Sequence, residues 1–247
     1  MARVPYEGES GDALARRLSL PQVISLGEVS STMDVASELA ADGAPSGTLV
    51  LADHQIKGRG RGGRLWTAAA GVGIWCTLIE RMADSGTLDV LSLRVGLRVA
   101  SALDRLTPAA VGLKWPNDLY LQGGKLGGIL VETRWRGSRP EWTAIGVGIN
   151  CREAVHPGSS ALGPDVARLA VLDAVIPAMR DAAASTGHLS AREVAEFGAR
   201  DVALRRTCRE PVEGRVAGIA DDGALLVETP GGIRRFLDGS LVLAGVW

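Results

Sequence analysis

Lysine is almost absent from this chain: of 27 cations only Lys57, Lys114 and Lys125 are lysines, and the other 24 are arginines. All three fall within two short segments, residues 57–66 and 114–128, as if a compact ammonium were wanted there instead of a planar guanidinium fork. Cysteine is equally scarce. Cys76, Cys151 and Cys208 are odd in number and far apart, two of them in apolar, strand-like contexts, which argues against a disulfide framework and predicts small buried thiols in a reducing compartment. His54, His156 and His188 form no cluster with ligand spacing, so no protein-bound transition metal is expected. No run of about 18 apolar residues occurs, and the N-terminal "MARVPYEGESGDALARRLSL" has no continuous apolar segment. A membrane span or secretion signal is therefore not indicated, and a cytoplasmic location is expected.

Nor does charge of one sign dominate. The 27 cations are mixed with 28 anions for a net charge of −1, so the domain-wide basic footprint that duplex DNA requires is missing. Any nucleic-acid role would be local. What is present is an ordinary globular composition, 46% hydrophobic and 22% charged, in 247 residues: enough for one sizeable core, or for a main domain with a small appendage.

Along the chain, residues 1–20 read as a short, partly ordered arm. "PQVISLGEV" reads as a strand, "SSTMDVASELAADG" as a helix capped by Ser or Thr and stopped by Gly43, and "GTLVLADHQ" as a second strand. "GVGIWCTLIE" is strand-like, and Leu88, Leu91, Val95, Val99, Leu103 and Leu106 recur at helical spacing. "VGLKW", "DLYLQ", "KLGGILVETRW" and "EWTAIGVGIN" predict four successive strands, followed by helical patterns over 164–184 and 190–204. From about Arg206 the chain predicts four short strands, divided by Asp222-Gly223 and Pro230-Gly231-Gly232, a unit too small to stand alone that leans on the main domain.

The segment "KGRGRGGRLW", 57–66, carries Gly58-x-Gly60-x-x-Gly63, the spacing of a dinucleotide-binding fingerprint. That fingerprint must open a helix, whereas "RLWTAAAGVGIWCTLI" leads into a β-like run, and no Gly-Lys-Ser/Thr follows to make a P-loop. Two readings remain: a solvated loop, or a cationic loop that closes over an anion. No acid occurs between Asp53 and Glu80, while Lys57, Arg59, Arg61 and Arg64 sit together. Glycine-freed N–H groups and guanidinium forks suit an anion.

"KWPNDLYLQGGKLGGILVE" predicts a hairpin turning on Gly123-Gly124. In that register Gln122 faces Lys125, Tyr120 faces Gly127 and Asp118 faces Ile129, which puts Asp118, Tyr120, Lys125 and Gly127 on one face. Asp118 then lies about 13 Å along the strand from Gln122, so a direct ion pair would need Lys125 to reach back. Trp115-Pro116-Asn117-Asp118, taken singly, is a turn.

Together "SST" at 30–32, "HQIKGRGRGGRLW" at 54–66, "KWPNDLYLQGGKLGGILVE" at 114–132, "IGVGIN" at 145–150 and "GRVAGIADDGALLVE" near the C-terminus resemble the motifs of the biotin protein ligases, in their usual order. The resemblance implies an α/β fold: a class II synthetase-like catalytic domain over 21–205, with a mixed β-sheet and flanking helices, and a small SH3-like barrel over 206–247. It implies activation of biotin with Mg-ATP to biotinyl-5′-adenylate, then transfer to a lysine of a biotin carboxyl carrier protein such as that of acetyl-CoA carboxylase. The metal would come with ATP, not from protein side chains.

Carried over residue by residue, Ser31, Thr32 and Gln55 would hydrogen-bond the ureido head of biotin. Gly58, Arg59, Gly60 and Arg61 would line the biotin and adenylate loop, with Arg64 and Asn117 beside the nucleotide. Trp66 would pack near adenine, Lys114 would meet phosphate, and Lys125 the biotin carboxylate and α-phosphate. Gly128, Gly146 and Gly148 would allow close backbone approach, Asn150 would lie near the nucleotide, and Asp118 would orient or deprotonate the carrier lysine. Three positions depart from the family: Met33 in place of a common asparagine, Lys57 in place of a small residue, and no arginine after Ser240-Leu241. Some relatives carry an N-terminal winged helix, which about 20 residues cannot form, so no sequence-specific DNA binding is expected; a homodimer is allowed. The rivals are a lipoate or octanoate ligase or transferase, and a non-catalytic biotin-binding protein.

Overall fold

The computed structural model describes residues 2–81 and 85–245. The chain runs α1 (Gly11–Arg17), β1 (Gln22–Val29), α2 (Thr32–Ala41), β2 (Thr48–Arg59), β3 (Leu65–Ala68), β4 (Gly73–Glu80) and α3 (Ser85–Leu103). It continues through β5 (Gly112–Lys114), β6 (Asp118–Leu121), β7 (Gly124–Arg136), β8 (Arg139–Asn150), α4 (Arg168–Ala184) and α5 (Ala191–Arg200). Last come β9 (Thr207–Glu210), β10 (Gly214–Ile219), β11 (Leu225–Thr229), β12 (Gly232–Phe236) and β13 (Val242–Leu243).

The large sheet has the order β1-β2-β4-β8-β7-β6-β5, with β3 paired to β2 off this path. It is mixed: β1 and β2 are parallel, while β2–β4, β4–β8, β7–β8 and β6–β7 are antiparallel. Alternation along the strands sorts their side chains between two cores. Leu49, Leu51, Cys76 and Leu78 join α3 and α4 on one face; Val50, Ala52 and Ile79 join Met33, Val35 and Ala36 of α2 on the other. α2 starts where Ser31 stops being strand, its hydroxyl accepting the Met33 N–H at 3.3 Å. That cap holds Ser31 and Thr32 at the end of β1, beside the tail of β2.

Two expectations change. Residues 2–20, expected as a partly ordered arm, are docked on the main domain: α1 forms, Tyr6 and Leu14 are buried in the larger core, and Arg17 pairs with Asp173 of α4 at 2.7 Å. Apolar spacing too short for a periodic signal hid this. The C-terminal unit has five strands, not four, in the order β12-β11-β10-β9-β13, an antiparallel sheet with β12 and β13 as its edges. It does lean on the main domain. Val216, Ile219, Leu225 and Leu243 belong to the same core as α3 and β7, and Trp115 Nε1 donates to Gly223 O at 3.0 Å. Among the described residues no helix is long and apolar enough to cross a membrane.

Candidate active site

A cavity of about 460 Å³ opens where the ends of β2, β6 and β7 meet the β12–β13 connection. One end is polar and buried. Gln55 Oε1 accepts both the Thr32 N–H (2.8 Å) and the Thr32 hydroxyl (3.0 Å), and Thr32 Oγ1 accepts from Thr77 at 2.9 Å. Fixing Oε1 in this way assigns the other half of the Gln55 amide, Nε2, as a donor. Ser31, Thr32 and Gln55, predicted together, do line one site. Its walls are apolar: Met33, Cys76, Ile129, Leu130 and Val147. Burial pushes the Cys76 thiol up to about 12, so it serves as a small apolar group and not as a nucleophile.

The Arg/Gly segment is more ordered than a loop. β2 continues through Arg59, a single tight turn covers Arg61–Gly63, and β3 returns with Gly58 opposite Trp66 and Arg59 opposite Leu65. Gly62 and Gly63 both take positive φ, which explains the glycines at the tip. No helix follows, in line with rejecting the dinucleotide fingerprint. Arg59 is held by Asp34 of α2 (3.0 Å) and Glu132 of β7, while Arg61 and Arg64 are held by the β12–β13 connection, through Asp238 (2.7 Å) and the Ser240 hydroxyl (2.6 Å). Arg59, Gly60, Arg61 and Arg64 line the cavity. Gly58 does not, its missing Cβ leaving room for Trp66 O and Gln55 Nε2. Lys57 is exposed and outside the lining.

The second segment supplies the remaining charges. The hairpin turns one residue earlier than expected, on Gln122–Gly123, both at positive φ (50° and 83°), and a bulge lies between Leu119 and Tyr120. Asp118 therefore faces Gly128 instead of Ile129, Tyr120 faces Lys125, and Gly127 moves opposite Leu119. This corrects the ion-pair expectation: Lys125 Nζ lies 2.6 Å from Asp118 Oδ1, and 5.4 Å from the centre of the Trp66 ring. Asn117 lines the cavity, with its Nδ2 donating to Ile129 O at 2.6 Å.

Lys114 sits 5.9 Å over the Tyr120 ring. Burial holds its pKa below that of an ordinary lysine; Lys125, Arg206 and Arg64 push the same way, and Asp118 opposes them. Lys114 thus loses its charge earlier than a solvated lysine as pH rises. If it binds an anion, kcat/KM for that anion, which reports the free enzyme, should fall with rising alkaline pH. Lys114→Arg should move the fall to higher pH; a profile unmoved by the substitution would exclude Lys114.

The predicted glycines Gly128, Gly146 and Gly148 line the cavity and also leave room for side chains of the chain itself. A Cβ on Gly148 would lie 2.7 Å from Trp66 Nε1, and one on Gly146 would lie 2.9 Å from Met33 Sδ. They let Trp66 and Met33 lie on the sheet, with Gly128 also against the indole. Trp66 Nε1 is buried with no partner among the described residues, a donor left for a ligand or water. Asn150 is buried too, but it does not line the cavity. The sequence reading missed Asp34 and Glu132, which hold Arg59, and Gly239–Leu243 with Asp238 at the mouth. Only the charge of the acids could have signalled them.

Residues 26–150 match the family model described as "Biotin/lipoate A/B protein ligase family", and 200–243 match "Biotin protein ligase C terminal domain". The chain is 31% identical over 234 residues to the Bifunctional ligase/repressor BirA of Bacillus spizizenii, covering 87% of this chain and 72% of that protein. It is 32% identical over 209 residues to the Biotin--[acetyl-CoA-carboxylase] ligase of Mycobacterium tuberculosis, covering 82% and 73%. Its structure resembles the biotin protein ligase of Aquifex aeolicus in complex with biotin and ATP, with a TM-score of 0.73, 28% identity, and coverage of 90% and 97%. The chain belongs to the biotin/lipoate A/B protein ligase family, and its C-terminal unit to the biotin protein ligase C-terminal domains.

Proposed function

We propose that this protein is an ATP-dependent biotin–protein ligase. The observation that carries the reading is a single cavity lined by three kinds of group: the amide and hydroxyls of Ser31, Thr32 and Gln55, the apolar Met33 and Val147, and the cations Arg59, Arg61, Arg64, Lys114 and Lys125. A ureido head, a saturated chain and a carboxylate meeting a triphosphate need these three kinds of chemistry. In the first step an oxygen of the biotin carboxylate attacks the α-phosphorus of ATP and pyrophosphate leaves, giving biotinyl-5′-adenylate. In the second, a lysine amine attacks the acyl carbon, AMP leaves, and the amine's proton is lost. Activation is needed because a carboxylate is a poor electrophile, and cations are needed because both reactants of the first step are anions. Mg2+ accompanies the triphosphate.

Lys125 serves the carboxylate and α-phosphate, Lys114 the phosphates, and Asp118 the carrier lysine. When the ligand anions arrive, Lys125 exchanges Asp118 for them, and the released carboxylate meets the incoming amine. Trp66 is the surface for adenine. The catalytic unit spans 21–205 and the C-terminal unit 206–247, the latter closing the mouth through Asp238 and Ser240. The carrier is the biotin carboxyl carrier protein of acetyl-CoA carboxylase, as in the name of the M. tuberculosis relative, and the location is the cytosol. Balanced charge supports the absence of sequence-specific DNA binding, which a mobility-shift assay checks; sedimentation tests a homodimer.

Supplying biotin or lipoate with ATP and following pyrophosphate release separates this reading from a lipoate ligase: release with biotin alone is expected. The Arg61–Gly63 turn makes a further prediction. Arg61→Gly removes the link to Asp238, so the adenylate should escape and label a bystander protein such as serum albumin several-fold more than the wild type does. Unchanged selectivity for the carrier would exclude Arg61 from retaining it.

A further inference from the structure

The N-terminal segment reverses on Glu7 and Gly8, both at positive φ (49° and 82°), with the Tyr6 N–H donating to Glu9 O at 2.9 Å and the Glu9 N–H to Tyr6 O at 3.0 Å. A glutamate is seldom found in the left-handed region, and such a position persists where the surroundings fix it. Two arginines do so here. Glu7 Oε1 lies 2.9 Å from Nη1 of Arg168, at the start of α4, and Oε2 lies 2.9 Å from Nη2 of Arg152, just beyond β8. Arg168, 2% exposed, stacks 4.3 Å from the centre of the Tyr6 ring and donates Nη1 to Asp53 of β2 at 2.7 Å and Nε to Gly73 O at 2.8 Å; its Nη2 is buried with no partner among the described residues. Arg152 donates Nη1 to Gly71 O at 3.0 Å, and the Cys151 and Arg152 N–H groups both donate to Val72 O, at 2.9 and 2.8 Å. All these backbone oxygens belong to residues 69–73, which join β3 to β4. Trp75 Nε1 donates to Ala69 O at 3.1 Å, and its ring lies so close over Gly73 that a Cβ there would come within 2.4 Å of it. Trp66 in turn meets Trp75 edge-on, with ring centres 6.3 Å apart.

We propose that Glu7 is a positioning residue for Trp66. β3 has four residues and pairs, among the described residues, with β2 alone, so the place of its indole depends on how the far end of the strand is held. Arg152 and Arg168 hold that end through the carbonyls of Gly71, Val72 and Gly73. Glu7 sets both arginines: one carboxylate between two guanidinium forks fixes the orientation in which each reaches its backbone oxygen. The coupling passes from Glu7 to Arg168, Gly73, Trp75 and Trp66 by direct contact at every step. The consequence for the reaction rests on the reading of Trp66 as the surface for adenine; the consequence for the place of the indole does not.

Labelling the chain's six tryptophans with 5-fluorotryptophan gives six 19F signals, and Trp66→Phe identifies the one in question. In Glu7→Gln, which keeps the shape and loses the charge, the Trp66 signal should shift while that of Trp135 on the β7–β8 hairpin stays, and the KM for ATP should rise several-fold with kcat changed less. A general loss of stability would instead lower the active fraction, and so kcat, without moving KM. Arg152→Met, which leaves Arg168 paired with Glu7 and Asp53, should shift the same signal, and it serves if Glu7→Gln does not fold. A Trp66 signal that neither variant shifts would overturn the proposal, and a shifted signal with the KM for ATP unchanged would overturn its part in the reaction. Failure of the wild type to release pyrophosphate with biotin would sink the functional reading alone, since the fluorine signals report the indole whether or not the enzyme turns over.

Discussion

Lys125→Ala is expected to lower biotin-dependent pyrophosphate release by about 10²- to 10³-fold, the scale found when one preorganised group facing developing charge is removed. The first step brings a carboxylate against a triphosphate, and the cation that lies between them must be fixed before they arrive. Lys125 meets that requirement: its backbone is held by β6 on one side and by Gly158–Ser160 on the other, and its Nζ is anchored 2.6 Å from Asp118 beside the Trp66 ring. Only about a third of its side chain is exposed, 35%, so the charge acts through a medium less screening than bulk water. Lys125→Arg should restore only part of the rate, because a broad planar fork cannot put its charge where a compact ammonium sits. A coupled pyrophosphate assay, with thermal melting to verify folding, measures this. A rate within a few-fold of wild type would remove Lys125 from the activation step.

Asp118→Asn is expected to act on the other half of the reaction, slowing transfer from preformed adenylate to the carrier by about 10²- to 10³-fold while leaving adenylate formation within about tenfold. The carrier lysine arrives protonated, and making it neutral at pH 7 costs roughly 4–5 kcal/mol for a pKa of about 10.4. A carboxylate beside the amine offsets that cost by holding the ammonium and accepting its proton during attack. Asparagine keeps the shape and loses the acceptor for the proton. Asp118 stands at the start of β6, just after Asn117, whose amide ties the turn to β7 at Ile129. Its carboxylate meets the Lys125 ammonium at 2.6 Å. The deficit should shrink as pH approaches the lysine's own pKa, where the amine needs no base. Single-turnover transfer across that range is the measurement, and a deficit independent of pH would assign Asp118 to binding alone.

Sequence pattern revealed the strands and helices well, because apolar runs mark the central strands and helical spacing marks the long helices. The "TLVLA" run of β2 and the Ser31 cap of α2 are local and legible as such. The site's composition was legible too, since three lysines in an arginine-rich chain drew attention to the two segments that line the cavity. Its geometry was less so. Gly123-Gly124 is the stronger turn signal by composition, yet Gln122 adopts positive φ and the hairpin turns on Gln122–Gly123, with a bulge between Leu119 and Tyr120 that local composition does not signal. Asp34, Glu132 and Asp238 are ordinary surface acids in sequence, and they acquire their role only when folding brings α2 and β7 to Arg59 and the β12–β13 connection to Arg61. The glycines of "IGVGIN" line the cavity, and they also leave room for Met33 and Trp66 on the sheet. Spacing along a strand cannot tell which neighbour a missing Cβ accommodates.

The most direct test of the central claim is transfer itself: the full chain, biotin, Mg-ATP and the carrier domain of acetyl-CoA carboxylase, with the product read by mass spectrometry. The account predicts addition of one biotinyl group at one carrier lysine, dependent on ATP, with lipoate failing to substitute. Tight biotin binding without carrier modification, or modification by lipoate in preference to biotin, would contradict it.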